Sequence, residues 1–314
     1  MGNREFPAHF DGRRFYNPEA LQALGWLDAL RWKLMSRPEP SPRFVSDVEQ
    51  TIPSRNVDDG QIRITLVNHS TVLIQRARFN LVTDPIWSER ASPLSWIGPK
   101  RHRKPGVRLE DLPHIDAVLV SHNHYDHLDL PTLGHLAARG GCTFVVAARV
   151  ARLLHSERIE PVRELDWGES LNISGISIHS VPALHFSARG ILDRNKTLWC
   201  GYVVKYADRL VYFAGDTAFG NHFAQIREKF GPPDLALLPI GAYEPRWFMS
   251  PVHMSPEEAM EAHRILGAGT SVAIHHGTFQ LADDGIDTPR KHLLACRHDD
   301  SFLILDNGQS ATIP

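Results

Sequence analysis

Ile115-Asp-Ala-Val-Leu-Val-Ser-His-Asn-His-Tyr-Asp-His127 is an apolar run that ends in a cluster of polar side chains. Its first part, Ile115 to Val120, suits a strand covered on both faces, because buried strands lack the alternation of half-exposed ones. Beyond it, His122 and His124 project to the same side in extended backbone, since side chains alternate with period two. The chain can then turn so that Asp126 and His127 face a neighbouring position, an arrangement that suits two adjacent cations. A single histidine on an apolar face is more often a hydrogen-bonded core residue. Three histidines and an aspartate within six positions at a strand end point to metal instead.

One loop cannot close two metal sites, so further ligands are expected at other strand ends, and they are present. Val181-Pro-Ala-Leu184 precedes His185, Leu210-Val-Tyr-Phe-Ala-Gly215 runs into Asp216, and Ser271-Val-Ala-Ile274 runs into His275-His276. A solitary carboxylate such as Asp216 can bridge two metals with its two oxygens. Spacing alone leaves open which of His275 and His276 ligates. A set rich in imidazole and free of thiolate favours zinc, with manganese or iron as alternatives.

Around these strand ends the chain reads as α/β. Ile62–Val67, Thr71–Ile74 and Phe79–Thr83 form an opening meander of strands. Further strands are expected at Thr143–Val146, Ile176–Ile178, Tyr202–Tyr206, Leu210–Phe213, Leu235–Leu238, Ser271–Ile274 and Ser301–Leu305. Helices are expected at Leu130–Arg139, Ala218–Phe230 and Pro256–Leu266. So many buried strands fit two mixed sheets with outer helices better than one sheet. Residues 61–314 read as one catalytic domain and 1–60 as an N-terminal extension. In that extension Asn17 is the expected cap of a helix with Pro18 in its first turn, whose Leu21, Leu24, Leu27, Leu30 and Leu34 make an apolar stripe. The stripe suits packing on the main domain, on a second subunit of a homodimer, or on a membrane surface. Arg37-Pro-Glu-Pro-Ser-Pro42 follows as a stiff extended connector.

The 314 residues are 42% hydrophobic and 22% charged, enough to build a sizeable core. Net charge is −2, so no global basic field recruits nucleic acid and any anion binding must be local. Cys142, Cys200 and Cys296 are odd in number and without a CxxC pair, which favours reduced thiols and a cytoplasmic setting. No apolar run reaches the length of a membrane span, which leaves peripheral membrane contact open.

The HxHxDH pattern of His122, His124, Asp126 and His127 resembles the metallo-β-lactamase superfamily, whose fold is an αβ/βα sandwich. Within it, several segments resemble the N-acylphosphatidylethanolamine-hydrolysing phospholipases D. They include Val82-Thr-Asp-Pro-Ile-Trp87, Gly98-Pro-Lys-Arg101, Phe213-Ala-Gly-Asp-Thr217, Pro239-Ile-Gly-Ala-Tyr-Glu-Pro-Arg-Trp-Phe-Met249 and Ala273-Ile-His-His-Gly-Thr-Phe279. The resemblance implies that His122, His124 and His185 hold one zinc, that Asp126, His127 and His275 hold the other, and that Asp216 bridges them. Asp84 would orient a ligand imidazole from behind. Asp126 would hold the attacking water, and His253 would serve the phosphoryl oxygen or the leaving group. The implied activity is two-metal phosphodiester hydrolysis of N-acylphosphatidylethanolamine or a related phospholipid; the alternative is a lactone or other ester hydrolase using the same centre. Two positions depart from the family pattern: His276 replaces a frequent Trp, and Asn68, before His69, replaces Gly in a turn where Asn tolerates positive φ. Lys100, Arg101, Arg103 and Lys104 form a local basic run suited to phosphate headgroups. Trp87, Trp96, Tyr125, Phe186, Trp247 and Phe248 are candidates to line an acyl-chain groove.

Overall fold

A computed structural model describes residues 8–19, 25–55, 57–58 and 60–313. The meander forms as its alternation requires: β1 (Ile62–Asn68), β2 (Thr71–Arg76) and β3 (Phe79–Thr83) pair antiparallel. Parallel pairing then adds β4 (Ala117–Val120), β5 (Thr143–Ala147) and β6 (Val162–Leu165). The second sheet contains β7 (Ser170–Ile173), β8 (Ile176–Val181), β9 (Gly201–Lys205), β10 (Leu210–Phe213), β11 (Leu235–Pro239), β12 (Thr270–Ile274) and β13 (Phe302–Leu303). The last strand, β14 (Ser310–Ile313), returns to the first sheet and pairs antiparallel with β1, Ile313 opposite Ile62. The orders are β14-β1-β2-β3-β4-β5-β6 and β13-β12-β11-β10-β9-β8-β7, two mixed sheets.

Period-two alternation decides what each strand faces. On β10, Val211 and Phe213 join the large core shared with the first sheet, while Tyr212 turns outward to a second core. That second core is closed by helices: Phe223 and Ile226 of α4 (His222–Phe230), Ala259, Ala262 and Leu266 of α6 (Pro256–Leu266), and Leu293 of α7 (Thr288–Cys296). Leu133 and Leu136 of α2 (Leu130–Arg139) and Leu154 of α3 (Ala151–Ser156) pack with the first sheet. α1 (Trp26–Met35) and the short α5 (Arg246–Met249) meet at one end, where Trp32 stacks on Phe248 at 5.0 Å. The molecule is therefore an α/β sandwich flanked by helices.

The structure departs from several expectations. The Asn17 side chain donates to the His185 carbonyl at 2.8 Å and accepts from Trp199 Nε1 at 3.0 Å, while residues 20–24 of the helix expected after it lie outside the described ones. α1 starts after Gly25, whose N–H is held by Asp28 Oδ2 at 2.8 Å. α4 begins at His222 rather than Ala218, because the chain first makes a close pass at Gly220, where a Cβ would lie 2.4 Å from Leu184. The residue at positive φ in the β1–β2 turn is His69 (φ 47°), not Asn68, whose side chain instead donates to the Ile86 carbonyl. On α1, Leu27, Leu30 and Leu34 are exposed while the flanking Trp32 packs against Ala242, Met249 and Ala282; Leu21 and Leu24 of the expected stripe lie outside the described residues. Among the described residues no helix is long and apolar enough to cross a membrane.

Candidate metal centre

The ligand candidates converge because the sandwich brings strand ends together. β4 delivers His122, His124, Asp126 and His127; β8 leads to His185, β10 to Asp216 and β12 to His275. All except half-buried His124 are buried. In one group, His122 Nε2 and His185 Nε2 stand 2.8 and 3.3 Å from His124 Nδ1. In the other, His127 Nε2 and His275 Nε2 lie 3.0 and 3.3 Å from Asp126 Oδ2. Asp216 lies between them: its Oδ2 is 3.1 Å from both His127 Nε2 and His275 Nε2, and 3.7 Å from His185 Nε2.

These atoms fit metal ions. His127 Nε2, His275 Nε2 and Asp216 Oδ1 are buried and lack a hydrogen bond of acceptable geometry, although both ring nitrogens stand 3.1 Å from the other Asp216 oxygen, Oδ2. Buried polar atoms rarely stay unsatisfied without a cation or water, and a cation among these groups would complete them. Burial lowers the pKa of His122 well below its ordinary value and that of His185 to about 3, which keeps both imidazoles available as neutral ligands. His127 and His275 suffer the same burial, but the charge of Asp216, with Asp126, outweighs it. His127 is raised well above the usual range and His275 to about 9.

Behind the ligands, Asp84 is fully buried, and its Oδ2 accepts from His127 Nδ1 at 2.6 Å and from Ser121 Oγ at 2.6 Å. The Ser121 N–H donates to Oδ1 at 2.7 Å, so the carboxylate is locked and fixes the His127 tautomer. Of the adjacent pair, His275 turns into the cluster. His276 faces Gly277 and Arg290, where burial and then the Arg290 charge lower it to about 4. His253 sits over the cluster, its ring 5.0 Å from that of His185 and 5.3 Å from that of His275, and its Nδ1 lacks a partner. Burial holds it well below the ordinary histidine value, neutral in the metal-free protein.

The basic run divides. Arg101 is buried and donates to the carbonyls of Ile86 and Ser88, and Arg103 pairs with Asp47 and Asp287. Lys104 is exposed, and Lys100 is exposed 3.8 Å from Glu89. Among the aromatics, Phe186 stands edge-on to His124 at 4.5 Å, and Trp87 is tied to the Val107 carbonyl. Trp96 and Trp247 are exposed. Tyr125 donates to the Arg189 carbonyl under the Arg189 guanidinium, 3.9 Å from its ring. That pair walls off a cleft of about 1770 Å³ beside the metal loop, lined by Asn123 and Tyr125 but by none of the clustered histidines.

One member of the cluster was missed in sequence. His69 belongs to the group of Asp126, His127 and His275, its Nε2 3.0 Å from Asp126 Oδ2. The signal was available, because His69 stands at the end of β1 as the other candidates stand at the ends of theirs.

Residues 79–276 match a family model described as the beta-lactamase superfamily domain. The N-acyl-phosphatidylethanolamine-hydrolyzing phospholipase D 1 of Caenorhabditis elegans is 37% identical over 95% of this chain and 92% of its own. A metal-dependent hydrolase of Methanopyrus kandleri is 28% identical over 79% of this chain and 99% of its own. In fold, the isothiocyanate hydrolase from Delia radicum gut bacteria superposes with a TM-score of 0.65 at 21% identity, covering 79% of this chain and 98% of that one. Sandwich, ligand cluster and these likenesses agree: the chain belongs to the beta-lactamase superfamily, as a metal-dependent hydrolase of that family.

Proposed function

We propose that the chain is a dinuclear zinc phosphodiesterase of the phospholipase D type, acting on N-acylphosphatidylethanolamine or a related phospholipid. The observation that carries the two-metal reading is the position of Asp216 between the two ligand groups. The likeness over nearly the whole length to a phospholipase D with that substrate supports the choice of bond. His122, His124 and His185 would hold one zinc, Asp126, His127 and His275 the other, and Asp216 both. Bound there, zinc supplies a nucleophile from water near neutral pH and Lewis-acid stabilisation of the phosphoryl oxygens.

The chain's own groups then divide the remaining work. Asp84 keeps His127 oriented, and Asp126 accepts a hydrogen bond from the attacking water and aims it. His253, neutral and facing the cluster, donates a ring N–H to a phosphoryl oxygen or to the departing alkoxide. Lys100 and Lys104 remain at the surface to meet anionic headgroups, with Arg101 and Arg103 holding their loop in place. Tyr125, Trp247 and Phe248 offer apolar surface to acyl chains. The exposed Leu27, Leu30, Leu34, Trp96 and Ile97 support peripheral contact of a cytoplasmic protein with a lipid surface.

Purified protein assayed on vesicles of N-acylphosphatidylethanolamine, on a lactone and on a β-lactam, each before and after chelation, tests the reading. Chelator-sensitive release of N-acylethanolamine and phosphatidic acid is expected. Turnover of the lactone alone would move the assignment to an ester hydrolase.

A further inference from the structure

His69 is buried, belongs to neither zinc set assigned above, and touches two members of one of them. Its Nε2 is 3.0 Å from Asp126 Oδ2 with hydrogen-bond geometry. That geometry distinguishes it from its neighbours: His127 Nε2 and His275 Nε2 are about as near the same oxygen but are not aimed at it. The His69 ring lies 4.2 Å from the ring of His275, and its carbonyl accepts the His275 N–H at 2.9 Å. Its own N–H is held by Thr278 Oγ1 at 2.9 Å. The backbone is left-handed at φ 47°, a conformation that a non-glycine residue keeps only where its surroundings impose it.

We propose that His69 is a positioning residue for the metal site of Asp126, His127 and His275, donating Nε2–H to Asp126 Oδ2 and seating His275 through its ring and carbonyl. The inference rests on the reading that this group holds metal. With His69 in place, Asp126 Oδ2 is held where it faces His127 Nε2 and His275 Nε2, 3.0 and 3.3 Å away, and His275 cannot rotate away. His69 itself contributes no ligand atom.

Zinc affinity of the metal-free protein, measured by competition with a chromophoric chelator, tests this without reference to turnover. His69→Ala should weaken one of the two zinc sites by about 10–100-fold, the usual cost of losing a group that orients a ligand. His69→Gln keeps a donor close to the position of Nε2, is not a zinc ligand, and should recover most of the affinity. Cobalt(II) at saturation should give the Ala variant absorption bands of wild-type intensity, because no ligand is lost. Wild-type affinity in the Ala variant would overturn the proposal, as would a Gln variant no better than Ala with altered cobalt bands, the mark of direct ligation. If wild-type protein bound no zinc, the metal reading would fall and this inference with it.

Discussion

His127 and His275 are the imidazoles that the carboxylates of Asp216 and Asp126 hold protonated against burial. In the metal-free protein both face Asp216 and Asp126 across 3.0–3.3 Å, and these carboxylates raise both despite burial, His275 to about 9. A folded-state value above the ordinary 6.5 means that the charged His275 stabilises the metal-free fold fully below about pH 6.5, and that this support is lost as pH rises through about 9. A metal must displace those protons before it can bind. Zinc binding at pH 7 is therefore expected to release protons, seen in calorimetry as a heat that varies with the ionisation enthalpy of the buffer. A heat independent of buffer would contradict the protonated pair. At this scale the ligands from His122 to His275 were legible because they sit at strand ends. Strand-end placement alone left His275 and His276 open, since the choice depends on how the backbone turns at φ 59°, and the family resemblance pointed to His275. His69 follows the end of β1 in the same way and was missed because it stands alone there, with no second ligand-type residue beside it.

α6 shows how an element fixes a site residue. Ser255 Oγ accepts the Glu258 N–H at 3.3 Å, and the Glu258 carboxylate accepts the Ser255 N–H at 2.8 Å, closing a capping box before Pro256. The same Glu258 carboxylate holds Arg246 at 2.7 Å, and Arg246 donates to the His253 carbonyl at 3.1 Å. The cap thus anchors the segment that carries His253 over the cluster. Ser255→Ala is expected to destabilise the protein by about 0.5–2 kcal/mol, read from chemical denaturation, and to lower turnover while leaving zinc content unchanged. Unaltered turnover with the stability loss would separate the cap from the site. Elements with strong local signals were readable: α2 and α6 carry prolines in their first turns, and β3 and β10 follow their apolar runs. β6, β7 and β14 were not, because four-residue strands with exposed positions owe their conformation to the neighbours they pair with. β13 shrinks to two residues for the same reason, as an edge strand with one partner.

At the scale of the whole molecule, neither sheet by itself carries both proposed ligand sets. The first supplies His69 and the cluster from His122 to His127; the second supplies His185, Asp216 and His275. The centre exists only when the sandwich closes, so bound metal should couple to global stability. Two mixed sheets were legible from the number of buried strands; which sheet carries which ligand was not, because it depends on how the strands pair. The course of the N-terminal extension was not, because it is set by long-range bonds such as Glu39 to Thr288, Trp32 to Asp283 and Asn17 to His185. Asp216 is the residue on which the two halves meet, and its substitution bears most directly on the central claim. Elemental analysis of zinc per chain, paired with turnover of N-acylphosphatidylethanolamine, should give two zinc ions and full activity in the wild-type protein, with both metal and activity falling together in Asp216→Ala. One zinc in the wild type, or an Asp216→Ala variant that retains two zinc ions and activity, would contradict a centre bridged by this carboxylate.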